Sequence, residues 1–373
     1  MNKTNHALVE RLNQIKKITN STGIQPTIDL SNKGSIEEMF SANNNYHSPN
    51  FIRKTRKSSV AKTTKVTGQL SIISQLNNIP KNQAPKCIVI DESSTQSQKP
   101  KIAEIINMKQ FYAIKQSTSV KEFAYREDQN IAYKESMEDK GKSIDNFNSK
   151  SNQILFCLFD GHGGDLVSKF LQKNDSAVYK NCLLSYNNNI EQALAASFKE
   201  TDKKIKSLDL VSMGSTGCIV HVIQETNSTK VYCANVGDTR CSLISPVNQR
   251  RLTYDHRADD YEEKKRIINS GGSVINGRVM GALMLSRAFG DYEFKSFGVK
   301  SEPFISKREI DPNEKNQFLI IACDGVWDVL DEDDIRQMIT FCNNSEELCK
   351  LIIKGAIKRG AWDNLSVFAV KLT

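Results

Sequence analysis

The sequence predicts an α/β fold of the α+β kind, with largely antiparallel sheets and helices packed outside them. Three observations lead there. From Phe111 onward, short apolar runs of strand length recur. Many are joined by tight polar links such as Asn235-Val-Gly-Asp-Thr239. Helical patterns interrupt these runs too irregularly for the repeated βαβ units of a doubly wound parallel sheet.

In chain order the expected strands are 111–115, 130–133, 153–159, 216–224, 229–236, 240–245, 317–323 and 365–371. The helical pattern over 190–206 sets Ile190, Ala193, Leu194, Phe198 and Ile205 along one face. Residues 259–270, 332–342 and 345–358 read the same way. Residues 1–108 have a different texture, rich in Asn, Ser, Thr, Lys and Gln. Only His6 to Ile18 shows helical spacing there, through Leu8, Leu12, Ile15 and Ile18. The rest buries too little apolar surface to offset its ordering entropy and is expected to be largely disordered. The folded domain is therefore expected at 109–373.

Charge follows the same division. Residues 1–108 hold fifteen Lys/Arg and seven Asp/Glu, which accounts for the whole net charge of +8. A neutral body with a basic arm argues against a nucleic-acid-binding core. The run Arg53-Lys-Thr-Arg-Lys-Ser-Ser59 reads as a solvated basic linker. The nine cysteines show neither CxxC nor Cys/His spacing and fall mostly in apolar runs, as buried reduced thiols do. No apolar run approaches the ~18 residues of a membrane span, and Asn2 excludes N-myristoylation. A soluble monomer, cytoplasmic or nuclear, with no membrane or nucleic-acid partner, is the expectation.

Three aspartates stand where a fold has no structural need of them. Asp160 follows the strand Ile154–Phe159 and precedes Gly161-His162-Gly163-Gly164. Asp324 follows Phe318–Cys323 and precedes Gly325, and Asp363 precedes the strand Leu365–Val370. Carboxylates at strand ends beside glycine project into a cleft that a ligand can approach closely. Several converging there repel one another and call for divalent cations. All-oxygen ligation points to Mg²⁺ or Mn²⁺ rather than zinc.

The motifs in their order resemble the metal-dependent type 2C serine/threonine protein phosphatases. They are Leu158-Phe-Asp-Gly-His-Gly-Gly164, Gly214-Ser-Thr-Gly217, Ala234-Asn-Val-Gly-Asp-Thr-Arg240, Asp255-His256 and Gly277-Arg-Val279. Leu285-Ser-Arg-Ala-Phe-Gly-Asp291, Ala322-Cys-Asp-Gly-Val-Trp-Asp328 and Trp362-Asp-Asn-Leu-Ser-Val367 complete them. The resemblance implies a sandwich of two mainly antiparallel sheets flanked by helices, and hydrolysis of phosphoserine and phosphothreonine in protein substrates by metal-activated water. It implies that Asp160 bridges two metals, that the Gly161 carbonyl binds one, and that Asp324 and Asp363, with Asn364 beside it, complete the other. His162 matches a general acid, and Asp238 and Asp328 match ligands of a weaker third metal.

The family's first motif is an arginine, three residues, then Glu-Asp. Two stretches offer the acidic pair: Arg126-Glu127-Asp128 and Lys134-Glu-Ser-Met-Glu138-Asp139. Glu127 and Asp128 are preferred because they lie between strand-like runs, whereas Lys140-Gly-Lys-Ser is a poor strand. Arg126 or a lysine would then bind phosphate, the lysine as a point charge rather than a bidentate fork. The rival reading is a pseudophosphatase that scaffolds phosphoproteins. It is disfavoured because Asp160, Asp324, Asp363 and His162 are all present. A cysteine phosphatase is excluded, since no Cys is followed by Arg six positions later. His221 and His256 are expected to be structural.

Overall fold

The computed structural model describes residues 112–373. The expectations for residues 1–108 lie outside the described residues. In chain order the strands are β1 Tyr112–Lys115, β2 Glu122–Asp128, β3 Lys140–Asp145, β4 Gln153–Phe159, β5 Gly161–His162, β6 Gly214–Ser215, β7 Gly217–Gln224 and β8 Thr229–Val236. There follow β9 Arg240–Ile244, β10 Gln249–Arg251, β11 Val274–Ile275, β12 Arg278–Val279, β13 Phe289–Gly290, β14 Phe304–Ile310, β15 Phe318–Ala322 and β16 Leu365–Lys371. The helices are α1 Leu166–Ser185, α2 Ile190–Lys206, α3 Tyr261–Asn269, α4 Tyr292–Lys295, α5 Asp324–Trp327, α6 Glu332–Ile339 and α7 Ser345–Lys358.

Two antiparallel sheets form a sandwich. One has the order β1-β2-β16-β15-β9-β10 and the other β14-β8-β7-β4-β3. The strand period of two explains the core. Phe123, Tyr125, Leu319, Ile321, Phe368 and Val370 from the first sheet meet Ile154, Phe156, Leu158, Val220 and Val222 from the second. The alternate residues of β4, Leu155, Cys157 and Phe159, pack instead on Val167, Leu171 and Tyr179 of α1 and Leu194 and Phe198 of α2. β4 is thus buried on both faces, which is why it reads as an unbroken apolar run. Each such side chain contributes about 1.5–3 kcal/mol by burial. α7 covers the outer face of the first sheet, where the Cys349 thiol approaches the carbonyls of Ala124 and Val367.

Helix starts follow their capping residues. Asn189 accepts from the Gln192 N–H, and Asp331 and Asp334 form a reciprocal capping box on α6. Among the described residues all eight cysteines are free, seven of them buried, which agrees with the expectation of reduced thiols. No helix of the described residues is long and apolar enough to cross a membrane.

Two local expectations are corrected, and two elements are added. Residues 131–133 form a turn, and the strand lies earlier, at β2. Lys140-Gly-Lys-Ser is not a poor strand but the start of β3, an edge strand whose polar residues have local partners: the Lys142 ammonium donates to Ser176 Oγ at 2.7 Å. The 20-residue α1 and the edge strand β14 were not anticipated.

α1 also carries a buried carboxyl, Asp175, 2% exposed beneath β4. It accepts from the Cys157 thiol at 3.2 Å, and the Lys142 ammonium stands 4.0 Å away. Burial pushes its pKa up to about 6, with Lys142 only partly opposing. A carboxyl raised above its unfolded value costs stability as pH climbs from about 4 through 6. Asp175→Asn is therefore expected to stabilise the fold by on the order of 1–3 kcal/mol at pH 7.5. The gain should vanish near pH 4, and thermal melts across that range check it; an equal gain at every pH would mean that ionisation is not the cause.

Candidate active site

Four chain segments deliver acidic groups to one end of the sandwich. β4 ends at Phe159, so Asp160 is the first residue out of the core. Asp324 opens α5 directly after β15, and Asp363 precedes β16, the neighbour of β15. Gly325 is required at this meeting point, because a Cβ there would collide with the Asn364 carbonyl. The fourth segment is the loop leading into β3, which brings Asp139, 1% exposed.

Carboxylate oxygens of Asp139 and Asp160 and the Cys323 sulfur all lie within 4.8 Å of one another. Ser366 Oγ donates to Asp139 at 2.7 Å. The Asp160 pKa is raised well above the usual range, by burial first and then by the charges of Asp139, Asp324, Asp238 and Asp363. Asp324 is raised by burial and by Asp238, Asp328 and Asp363, against Arg257. This is the electrostatic signature of carboxylates forced together without enough cationic charge.

The donor set fits hard divalent cations, since the groups that converge here are mainly carboxylates. Cys323 does not make it a soft site. Its sulfur already donates to the Asn364 carbonyl and accepts the Ser366 N–H. Burial and the neighbouring aspartates also push its pKa well up, which keeps it a thiol.

The preferred first motif requires correction. Asp128 accepts from the Asn130 N–H at 2.7 Å and so shapes a turn. Glu127 accepts from the Tyr125 hydroxyl at 2.7 Å. Arg126 is flanked by Cys349 and Glu346 of α7, on the outer face of the sheet. The pair at the cluster is Glu138–Asp139, with Lys134 rather than Arg126 beside it. Lys134 Nζ lies 2.6 Å from Asp363 Oδ1. Asn364 organises this loop: its Oδ1 accepts the Glu138 N–H, and its Nδ2 donates to the carbonyls of Gln129 and Ser136.

His162 lies beside the cluster on β5, with Nε2 2.8 Å from an Asp291 carboxylate oxygen. Gly214 allows this pair, since a Cβ there would strike both partners. Burial pulls the His162 pKa down, but the hydrogen bond and charge of Asp291, helped by Asp238 and Glu138, raise it overall. Sequence reasoning quoted Asp291 in a motif without giving it a role; its place after the Ala-Phe-Gly turn was the available signal.

The Arg257 guanidinium bridges Asp238 at 3.0 Å and Asp328 at 2.6 Å, the two residues matched to a weaker third metal. His221 is buried and held by Tyr179 and Gln153, with its pKa lowered to about 3 by burial, as befits a structural residue. His256 is also fully buried.

The profile of the protein phosphatase 2C family matches residues 123–365. Protein phosphatase 2C homolog 1 of Saccharomyces cerevisiae is 34% identical over 260 residues, covering 66% of this chain and 92% of its own. A solved C. elegans sex-determining protein superposes with a TM-score of 0.60 at 25% identity, over 67% of this chain and 64% of that one. A phosphatase from a pathogenic strain of Toxoplasma gondii has the same fold, with a TM-score of 0.60 at 22% identity over 67% of this chain and 92% of its own.

Proposed function

We propose that this chain, which belongs to the protein phosphatase 2C family, hydrolyses phosphoserine and phosphothreonine in proteins with Mg²⁺ or Mn²⁺ as cofactor. The observation that carries the reading is the convergence of Asp139, Asp160, Asp324 and Asp363, mutually repelling and half-buried or buried, at the end of the sandwich. Asp160, Asp324 and Asp363, with the Gly161 carbonyl, would hold the cations. When bound, these neutralise phosphoryl charge and acidify water.

The remaining roles fall to the chain itself. Lys134 is a cation at the edge of the cluster, 2.6 Å from Asp363, and would grip a phosphoryl oxygen as a point charge. His162, whose protonated form Asp291 favours, would deliver its proton to the serine or threonine oxygen as it leaves. Asn364 and Ser366 fix the acidic loop through Glu138 and Asp139, so that these groups do not have to reorganise on binding.

Hydrolysis of a phosphothreonine peptide by the full chain, with Mn²⁺ and with EDTA, tests the reading. Turnover in Mn²⁺ that EDTA abolishes is expected, and Lys134→Met should raise KM on the order of tenfold. Tight binding of the peptide without turnover in either metal would favour a scaffold instead.

A further inference from the structure

The rim of the acidic cluster carries apolar surface that folding leaves in solvent. Trp362, immediately before Asp363, is 55% exposed; Ile131 and Tyr133, on the facing turn, are 65% and 36% exposed. The two segments are clasped together. Asn130 is fully buried with a left-handed backbone at φ 56°, and its Nδ2 donates to the carbonyls of Ala361 at 2.8 Å and Asp363 at 3.0 Å. The Asn130 carbonyl in turn accepts the N–H groups of Tyr133 and Lys134. Trp362 therefore lies between two carbonyls held by the residue that closes the turn bearing Ile131 and Tyr133. Lys134 seals the clasp on the Asp363 carboxylate.

An indole more than half in water contributes little to folding, and here it stands one residue from the reacting centre. Its backbone is braced, so ordering it against a ligand costs little entropy. A phosphoryl group gripped by Lys134, as proposed above, would set the substrate backbone within one or two residues of this rim, at about 3.3 Å per extended residue. The rim is thus continuous with the site, and its apolar character matches an apolar neighbour of the phosphorylated side chain.

We propose that Trp362, with Ile131 and Tyr133 beside it, is the specificity-determining surface of this phosphatase, and that it takes an apolar substrate residue flanking the phosphoserine or phosphothreonine. The inference rests on the phosphatase reading above. Two phosphothreonine peptides that differ only in leucine or glycine flanks test it on the full chain. The wild type is expected to prefer the leucine-flanked peptide by on the order of tenfold in kcat/KM, mainly through KM. Trp362→Ala should cut that preference to about twofold, and Trp362→Phe should keep most of it.

A binding readout is independent of turnover. The chain has two tryptophans, and Trp327 is only 7% exposed, so an emission shift reports Trp362. A hydrolysis-resistant phosphonate analogue of the leucine-flanked peptide, added in Mg²⁺, should shift emission to the blue in the wild type and not in Trp362→Phe. An unchanged leucine preference in Trp362→Ala, or emission unmoved at saturating analogue, overturns the proposal. If neither peptide is hydrolysed, the phosphatase reading fails while the emission titration still decides the docking.

Discussion

Asp160→Asn is expected to lower kcat for phosphopeptide hydrolysis by at least about 10³-fold in saturating Mn²⁺. Asp160 is the hub of the site, coupled to Asp139, Asp324, Asp238 and Asp363. Asp139 and Asp324 also face Asp363 directly, but Asp160 is the group that all four of the others act on. The same change should not harm the fold. It removes a charge whose burial and repulsion already oppose ionisation, so melting in EDTA should occur no lower than in the wild type. Steady-state kinetics, metal titration by calorimetry and melting in EDTA together separate a lost site from a lost fold. Retention of most activity by Asp160→Asn, alongside complete loss in His162→Ala, would reverse the roles assigned here.

His162→Ala should cost about 10²–10⁴-fold in kcat, the usual range for general acid–base catalysis. Asp291 gives this prediction a pH signature. Its carboxylate outweighs the effect of burial and holds His162 above the ordinary histidine value. In the proposed general-acid role the protonated form is the active one, so activity should be lost as pH rises through the His162 pKa. In Asp291→Asn, the largest counterweight to burial is lost and only Asp238 and Glu138 remain, so the alkaline fall of kcat should begin at lower pH than in the wild type. An alkaline limb that stays in place would show that His162 is not the group titrating there.

Much of the fold was legible because β4, β7, β15 and β16 are buried strands with long apolar runs, and those of β4 and β15 lead into clustered aspartates. Asp160 and Asp324 could be placed from that rule alone, and Asp363 from standing just ahead of β16. The first acidic pair was misplaced for a physical reason. Edge strand β3 satisfies Lys140 through the carbonyls of Met137 and Asp139, and Lys142 through Ser176, so its sequence looks like a loop. β2 then looked like the better frame for the motif, although its Glu127 and Asp128 are consumed by Tyr125 and Asn130. α1 was readable in principle, with Val167, Leu171, Val178, Tyr179 and Cys182 on one face, but its polar insertions diluted the period. Contacts such as Asn130 with Ala361 join residues far apart in the chain, and no local pattern announces them.

The position of β16 has a consequence for how the protein comes into being. This strand lies between β2 and β15, so a nascent chain that has not yet made residues 363–371 has a gap in the middle of its first sheet. Asp363, Asn364 and Ser366 emerge with that strand. Until that strand is in place, hydrophobic surface on β2 and β15 stays uncovered, a state in which chaperones would have work to do. The acidic cluster cannot assemble before Asp363 and this strand are in place; it forms as a unit once the gap closes.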